Sequence, residues 1–182
     1  MPLTITIPAR EYYDSVNNLF MESKEQTITI EHSLLSIAKW EAKWKKPFLT
    51  EAKKTTEEMI DYIRCMTITK NVDSMTYYSL TPASFTLIQN YINDPMTATT
   101  FGEDKEKQKK SKKIITSEEL YYQMAAFQIP FECEKWHFNR LLTLLRIASI
   151  KNAPPKKMGK KSIMNRNRSL NEARKKSMNT NG

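Results

Sequence analysis

TSEELYYQMAAFQIPFECEKWHFNRLLTLLRIASIK, residues Thr116 to Lys151, reads as two helices joined at a proline. Thr116 and Glu119 stand at capping-box spacing, where a hydroxyl and a carboxylate satisfy the first orphan amides of a helix. Leu120, Met124 and Phe127 follow at i, i+4 and i+7, with Ala125 beside them, which gives the first helix one apolar face. Ile129-Pro130 ends it, because proline drives the preceding residue out of the α-helical region. Glu132 and Glu134 suit the positive end of a second helix. Along that helix Phe138, Leu141, Leu142, Leu144, Leu145 and Ala148 form a wide apolar face, and Asn139, Arg140, Thr143 and Arg146 leave a narrow polar seam. A helix so broadly apolar is expected to be mostly buried, so this pair is the expected core.

Upstream, Leu3–Ile7 (LTITI) and Thr27–Glu31 (TITIE) alternate β-branched apolar residues with threonine, as half-buried strands do, and are expected to pair as a hairpin. The residues between them, Arg10 to Ser23, read as a polar connection dotted with aromatics. Ser33 is an N-cap candidate, followed at helical spacing by Leu34, Ile37, Ala38, Trp40 and Trp44, with Lys45-Lys46-Pro47 as the stop. Thr55 and Glu58 make a second capping box, and Met59, Ile63 and Met66 an inward face. A short helical turn is expected around Met75–Tyr78. Thr81-Pro82 then supplies a cap and an N1 proline for a helix carrying Phe85, Ile88 and Ile92. Met96–Phe101 (MTATTF) is expected to be a third strand, Ile114–Ile115 a fourth, and the charged stretch Gly102–Lys113 a solvated loop. The expected fold class is α+β, with about five helices packed on a small, mostly antiparallel sheet.

Charge divides the chain more sharply than hydropathy does. The net +9 arises entirely beyond residue 150, where ten Lys/Arg face one acidic residue, while the first 150 residues balance 19 bases against 19 acids. Two domains of unlike character are therefore expected: a neutral α+β body over 1–151 and a basic, flexible tail over 152–182, partly helical or disordered. The break falls at Asn152-Ala153-Pro154-Pro155. The tail's cations are Lys156, Lys157, Lys160, Lys161, Arg166, Arg168, Arg174, Lys175 and Lys176. They suit phosphate neutralisation, but no aromatic accompanies them for base stacking, so such binding would be blind to sequence.

Chemistry-bearing patterns are sparse. Cys133 and His137 are four apart, which on a helix would align a thiolate with an imidazole. A zinc site needs about four ligands, however, and the other candidates, His32 and Cys65, lie in unrelated segments. Three unclustered glycines exclude a phosphate-cradling loop. No catalytic residue, cofactor or metal is therefore expected. Two cysteines and no signal-like N-terminus point to a reducing compartment, and no run approaches ~18 apolar residues, so no membrane span is expected. Trp40, Trp44, Trp136 and the pairs Tyr12-Tyr13, Tyr77-Tyr78 and Tyr121-Tyr122 suit either an interaction surface or the packed core, and core packing is the stronger expectation.

EHSLLSIAKWEAKWKKPFL (31–49), YIRCMT (62–67), MTATTF (96–101), SEELYYQMAAFQIPFECEKWHFNRLLTLLRI (117–147) and KNAPPKKM (151–158) together resemble proteins encoded among the tail genes of long-tailed (siphovirus-like) bacteriophages. Many of these are described as tail assembly chaperones. The resemblance implies a non-enzymatic protein of the infected host's cytoplasm. It would coat the tape-measure protein, recruit tail-tube subunits, and be absent from the finished particle. Self-association is compatible with that role. It also carries over Trp136, His137, Asn139 and Arg140 as structural or interaction residues. Two other readings stand beside it: a neck or tail-completion protein retained in the virion, and a nucleic-acid-binding accessory protein acting through the basic tail.

Overall fold

A computed structural model describes residues 1–14, 18–50, 52–101, 114–154 and 159–179. The expected charged loop Gly102–Lys113, and the tail cations Lys156 and Lys157, lie outside the described residues. The fold is α+β, and the chain divides into two compact units, Met1–Ser149 and Ile150–Gly182.

In the first unit β1 (Leu3–Ile7) pairs antiparallel with β4 (Gln26–Ile30), setting Ile5 opposite Ile28 and Leu3 opposite Ile30. Because side chains alternate across a strand, Ile5, Ile7, Ile28 and Ile30 all turn into the core. The threonines turn out, where the Thr4–Thr29 and Thr6–Thr27 hydroxyls meet at 3.3 and 3.0 Å. The expected hairpin is present, but its connection is not a plain loop. It contains a second antiparallel ribbon, β2 (Arg10–Asp14) with β3 (Leu19–Ser23), which forms a separate two-stranded sheet. Ser23 anchors that ribbon: its buried Oγ lies 2.6 Å from the Oγ of Ser79 and accepts from the Arg10 amide at 3.1 Å.

The helices begin where side chains satisfy their first amides. Ser33 caps α1 (Leu34–Trp44), and Lys45 closes it in the left-handed conformation, donating its amide to the Glu41 carbonyl. At α2 (Thr56–Met66) both halves of the capping box form, Glu58 N to Thr55 Oγ1 at 3.2 Å and Thr55 N to Glu58 Oε2 at 2.8 Å. The inward face is Tyr62, Ile63 and Met66; Met59, expected inside, is 42% exposed. A 3-10 turn over Ser74–Ser79 leads to α3 (Pro82–Asn93), where Thr81 Oγ1 accepts from Ser84 N as its cap. Ile88 and Tyr91 are the buried residues of its apolar face, with Phe85 and Ile92 packed partly against the core.

Neither further strand forms. Met96–Phe101 is irregular, since Asp94 and Thr97 side chains accept from the amides of Met96 and Thr99 and divert the backbone into local turns. Ile114 and Ile115 are exposed and unpaired with any strand. The free edge of β4 is instead sealed by the exit of α2, where Glu31 N donates to Met66 O and Ile68 N to Thr29 O. An edge strand needs such cover, and here helix-end backbone supplies it.

The deciding stretch folds as a helix, a turn and a helix. Thr116 sits at the cap of α4 (Ser117–Ala126), but its hydroxyl makes no cap bond, so the expected capping box is absent. Buried Glu41 of α1 takes that role, accepting from Ser117 N at 2.8 Å and from Phe48 N at 2.6 Å. Leu120 and Met124 are buried, and Ala125 is exposed. The second helix does not start at the glutamates. Phe131–Lys135 is a 3-10 turn, and α5 runs Phe138–Asn152. Of its wide apolar face only Phe138, Leu141 and Leu145 are buried; Leu144 and Ala148 are half-buried, and Leu142 is 37% exposed. In the second unit α6 (Lys160–Met178) is a helix whose every residue is exposed.

Candidate interaction surface

Trp40 belongs to the interior, and Trp44 packs half-buried against it. Trp40 is 1% exposed and donates its indole N–H to the Glu58 carbonyl at 2.9 Å. Trp44, stacked on it at 6.2 Å between centroids, donates to Asp61 Oδ2 at 2.9 Å. Glu58 and Asp61 are the buried carboxylates that join α2 to the end of α1, ion-paired with Lys46 and Lys43. The Lys46 hydrogen bond, with the Thr55 amide, holds the Glu58 carboxyl below its ordinary range. Lys54 completes this corner, its ammonium donating to Phe48 O at 2.9 Å and standing 4.2 Å from the Phe48 ring centroid. Burial pushes that amine down. Beside it opens an apolar cleft of about 260 Å³ between α2 and α3, lined by Phe48, Met59, Tyr62, Phe85, Ile88 and Ile92 among others.

Trp136, His137, Asn139 and Arg140 separate into two pairs. Asn139 Nδ2 donates to the carbonyls of Ile92 and Asp94 at 2.8 and 2.7 Å, and His137 Nε2 donates to Tyr91 O at 3.1 Å. The last carbonyls of a helix lack intrahelical partners, and these two side chains, at the entry to α5, satisfy carbonyls at the end of α3. Trp136 and Arg140 face outward, the guanidinium carbon 4.4 Å from the indole centroid. Cys133 and His137 occupy different elements, so the helical thiolate–imidazole alignment does not arise. Burial raises the Cys133 thiol further.

What the topology does bring together is His32 and His137, the chain's two histidines. Phe138 N donates to His32 O at 2.7 Å and Ser33 bridges His137, which sets the imidazoles at 5.2 Å between centroids. His32 Nδ1 meets the Tyr62 hydroxyl at 2.6 Å, and Tyr91 OH donates to Glu31 at 2.9 Å. Since a carbonyl only accepts, the Tyr91 contact puts the His137 proton on Nε2 and leaves Nδ1 a buried lone pair without a partner. Burial, with His137 close by, pushes His32 down to about 3, and burial also lowers His137. Burial raises the hydroxyls of Tyr62 and Tyr91. Both imidazoles are thus neutral packing groups near pH 7 and fasten β4, α1 and α3 to the start of α5. Among the described residues no three His, Cys, Asp or Glu gather as a metal ion would require.

Sequence reasoning weighed Trp136 and the Tyr121-Tyr122 pair as surface or core, and Tyr122 is 75% exposed, but it passed over Phe131 at 56% and placed Leu142, at 37%, on the buried face. Periodicity hides them, since it assigns apolar residues to a core and gives no sign of which face turns out. It also missed the histidine pair; the only hint was that each histidine stands just ahead of a helix start. Of the tail cations, Lys160, Lys161, Arg166, Arg168, Arg174, Lys175 and Lys176 all lie on α6. No helix among the described residues is long and apolar enough to cross a membrane. No family model, curated protein or solved structure matches the chain.

Proposed function

We propose that the chain is a non-enzymatic assembly chaperone of the phage tail, which binds the tape-measure protein and recruits tail-tube subunits in the host cytoplasm. One observation carries the reading. The block in which the resemblance is densest, 117–147, buries Leu120, Met124, Phe138, Leu141 and Leu145 among others but leaves four further large hydrophobic side chains exposed. Asn139 and His137 hold α3, while Tyr122, Phe131, Trp136 and Leu142 are exposed on successive elements. Scattered exposed apolar residues are ordinary, but aromatics concentrated in one stretch suit a surface made to be covered. An apolar surface of this kind fits a protein that keeps a long helical chain soluble.

The test is co-expression with the neighbouring tape-measure protein, followed by pull-down with wild type and with Phe131→Ala/Trp136→Ala. Co-purification that the double variant loses supports the reading. No co-purification, or stoichiometric peptides of this chain in purified virions, overturns it, and the second result supports a neck or tail-completion protein.

A further inference from the structure

Helix α6 carries seven cations and one carboxylate, a net +6 over 19 residues, and all its side chains are exposed. Its residues are not arranged evenly. Lys160, Ile163, Asn167, Leu170, Arg174 and Ser177 follow at alternating spacings of three and four, the seam of a coiled coil. Ile163 and Leu170 occupy d positions at 44% and 46% exposure, with Lys160, Asn167 and Arg174 at a. Met164 and Met178, each 71% exposed, flank the d side. On the far side Arg168 pairs with Glu172 at 3.1 Å, one turn apart, which reinforces the helix away from the seam.

We propose that this seam docks an acidic amphipathic helix of another protein, with aliphatic residues against Ile163 and Leu170 and carboxylates against Lys160 and Arg174. A second copy of α6 is disfavoured, because pairing would oppose two +6 helices and, in parallel register, set Lys160 and Arg174 against their own kind. Nucleic acid would be served by the cations alone and would leave the two aliphatic d positions uncovered. A lipid surface calls for a wide apolar face, and lysine, asparagine and arginine interrupt this one. The inference rests on α6 itself and stands apart from the tail-assembly reading.

The experiment uses the full chain and a labelled synthetic peptide about three heptads long, with Leu at each d and Glu at each a. Duplex DNA and phosphatidylserine vesicles are the comparison ligands. The wild-type chain is expected to bind the peptide, and Ile163→Ala/Leu170→Ala to weaken it roughly tenfold or more, the scale of losing buried anchors. Lys160→Glu/Arg174→Glu should abolish binding, and a peptide with Lys at a should restore it. Because these positions are exposed and alanine favours helix, an unchanged circular dichroism spectrum separates lost docking from lost folding. The proposal is overturned if the peptide does not bind or if the alanine pair leaves its affinity unchanged. It also fails if DNA or vesicles bind more tightly than the peptide.

Discussion

The outer ribbon β1–β4 and the ribbon nested in its connection, β2–β3, each align five residues against five. The outer one puts Ile5, Ile7, Ile28 and Ile30 into the core, all at 5% exposure or less, and its far edge is closed by the exit of α2. The inner one leaves Tyr13, Leu19 and Phe20 between 56% and 77% exposed and is anchored through a few hydroxyls, chiefly Ser23 with Ser79 and Tyr12 with Ser79. Equal pairing thus goes with unequal burial. Main-chain bonds alone contribute little net stability, since water offers the unfolded chain the same partners. The side chains decide which ribbon holds the fold.

The largest difference should come from truncating one isoleucine. Ile28→Ala deletes a side chain with no exposed surface and should cost about 2–5 kcal/mol, the range for cavities in packed cores. Urea unfolding measures it; a loss under about 1 kcal/mol would put the outer ribbon on the same footing as the inner one.

Acid should act next, and through the outer ribbon, because His32 follows β4 closely. His32 is neutral when folded, pushed down to about 3, whereas in the unfolded chain it takes a proton near its ordinary value of about 6.5. Between those values the unfolded state holds more protons, so stability rises with pH and falls as pH drops below about 6.5. His137, also lowered by burial, adds to the same slope. Tyr62, Tyr91, Glu31, Asp94, Cys65 and the N-terminal amine are other titratable groups around the pair, and burial keeps the two tyrosine hydroxyls protonated. Urea midpoints at about pH 7 and pH 5, above the carboxylate range, should differ for wild type and converge for His32→Asn/His137→Phe. Equal slopes in both proteins would remove the histidines from the account.

This contrast also explains what could be read in advance. LTITI and TITIE alternate β-branched residues with threonine, so the outer strands and their pairing were legible. REYYD and LFMES have no such alternation, because a ribbon that buries little is under no pressure to separate its faces. The helix starts at Ser33, Thr55 and Thr81 were legible because their caps are local. The cap of α4 was not, since Glu41 supplies it from another helix. The histidine clamp is likewise non-local: His32 and His137 are neighbours only because β4 and α5 meet. MTATTF was misread because alternation announces a strand only where a free edge awaits it, and the backbone leaving α2 already occupies that edge.

A smaller loss is expected at the anchor of the inner ribbon. Ser23→Ala removes a buried hydroxyl that contacts Ser79 and accepts from Arg10 N, leaving those groups short of a partner at a cost of about 1–3 kcal/mol. Hydrogen exchange should show it first in the β2–β3 amides while β1–β4 stays protected, because regions with few buried contacts open independently of the core. Exchange rising equally in both ribbons would mean that they open as one unit.

Phe20→Ala should have the least effect and tests the comparison most directly. Phe20 is the most exposed aromatic of the ribbon at 77%, and Tyr13, 5.0 Å away between centroids, is its aromatic contact across the pair. No cavity forms when an exposed ring is removed, so the transfer and packing terms that make Ile28→Ala costly are absent. What remains is the cross-strand aromatic contact, about 0.2–1 kcal/mol. The expected outcome is a urea midpoint close to wild type, with exchange slightly faster at the tip. A loss above about 2 kcal/mol would require Phe20 to be buried in solution, by this chain or a second copy. Repeating the melt across a range of protein concentrations separates those two cases, because only burial by a second copy makes the midpoint depend on concentration.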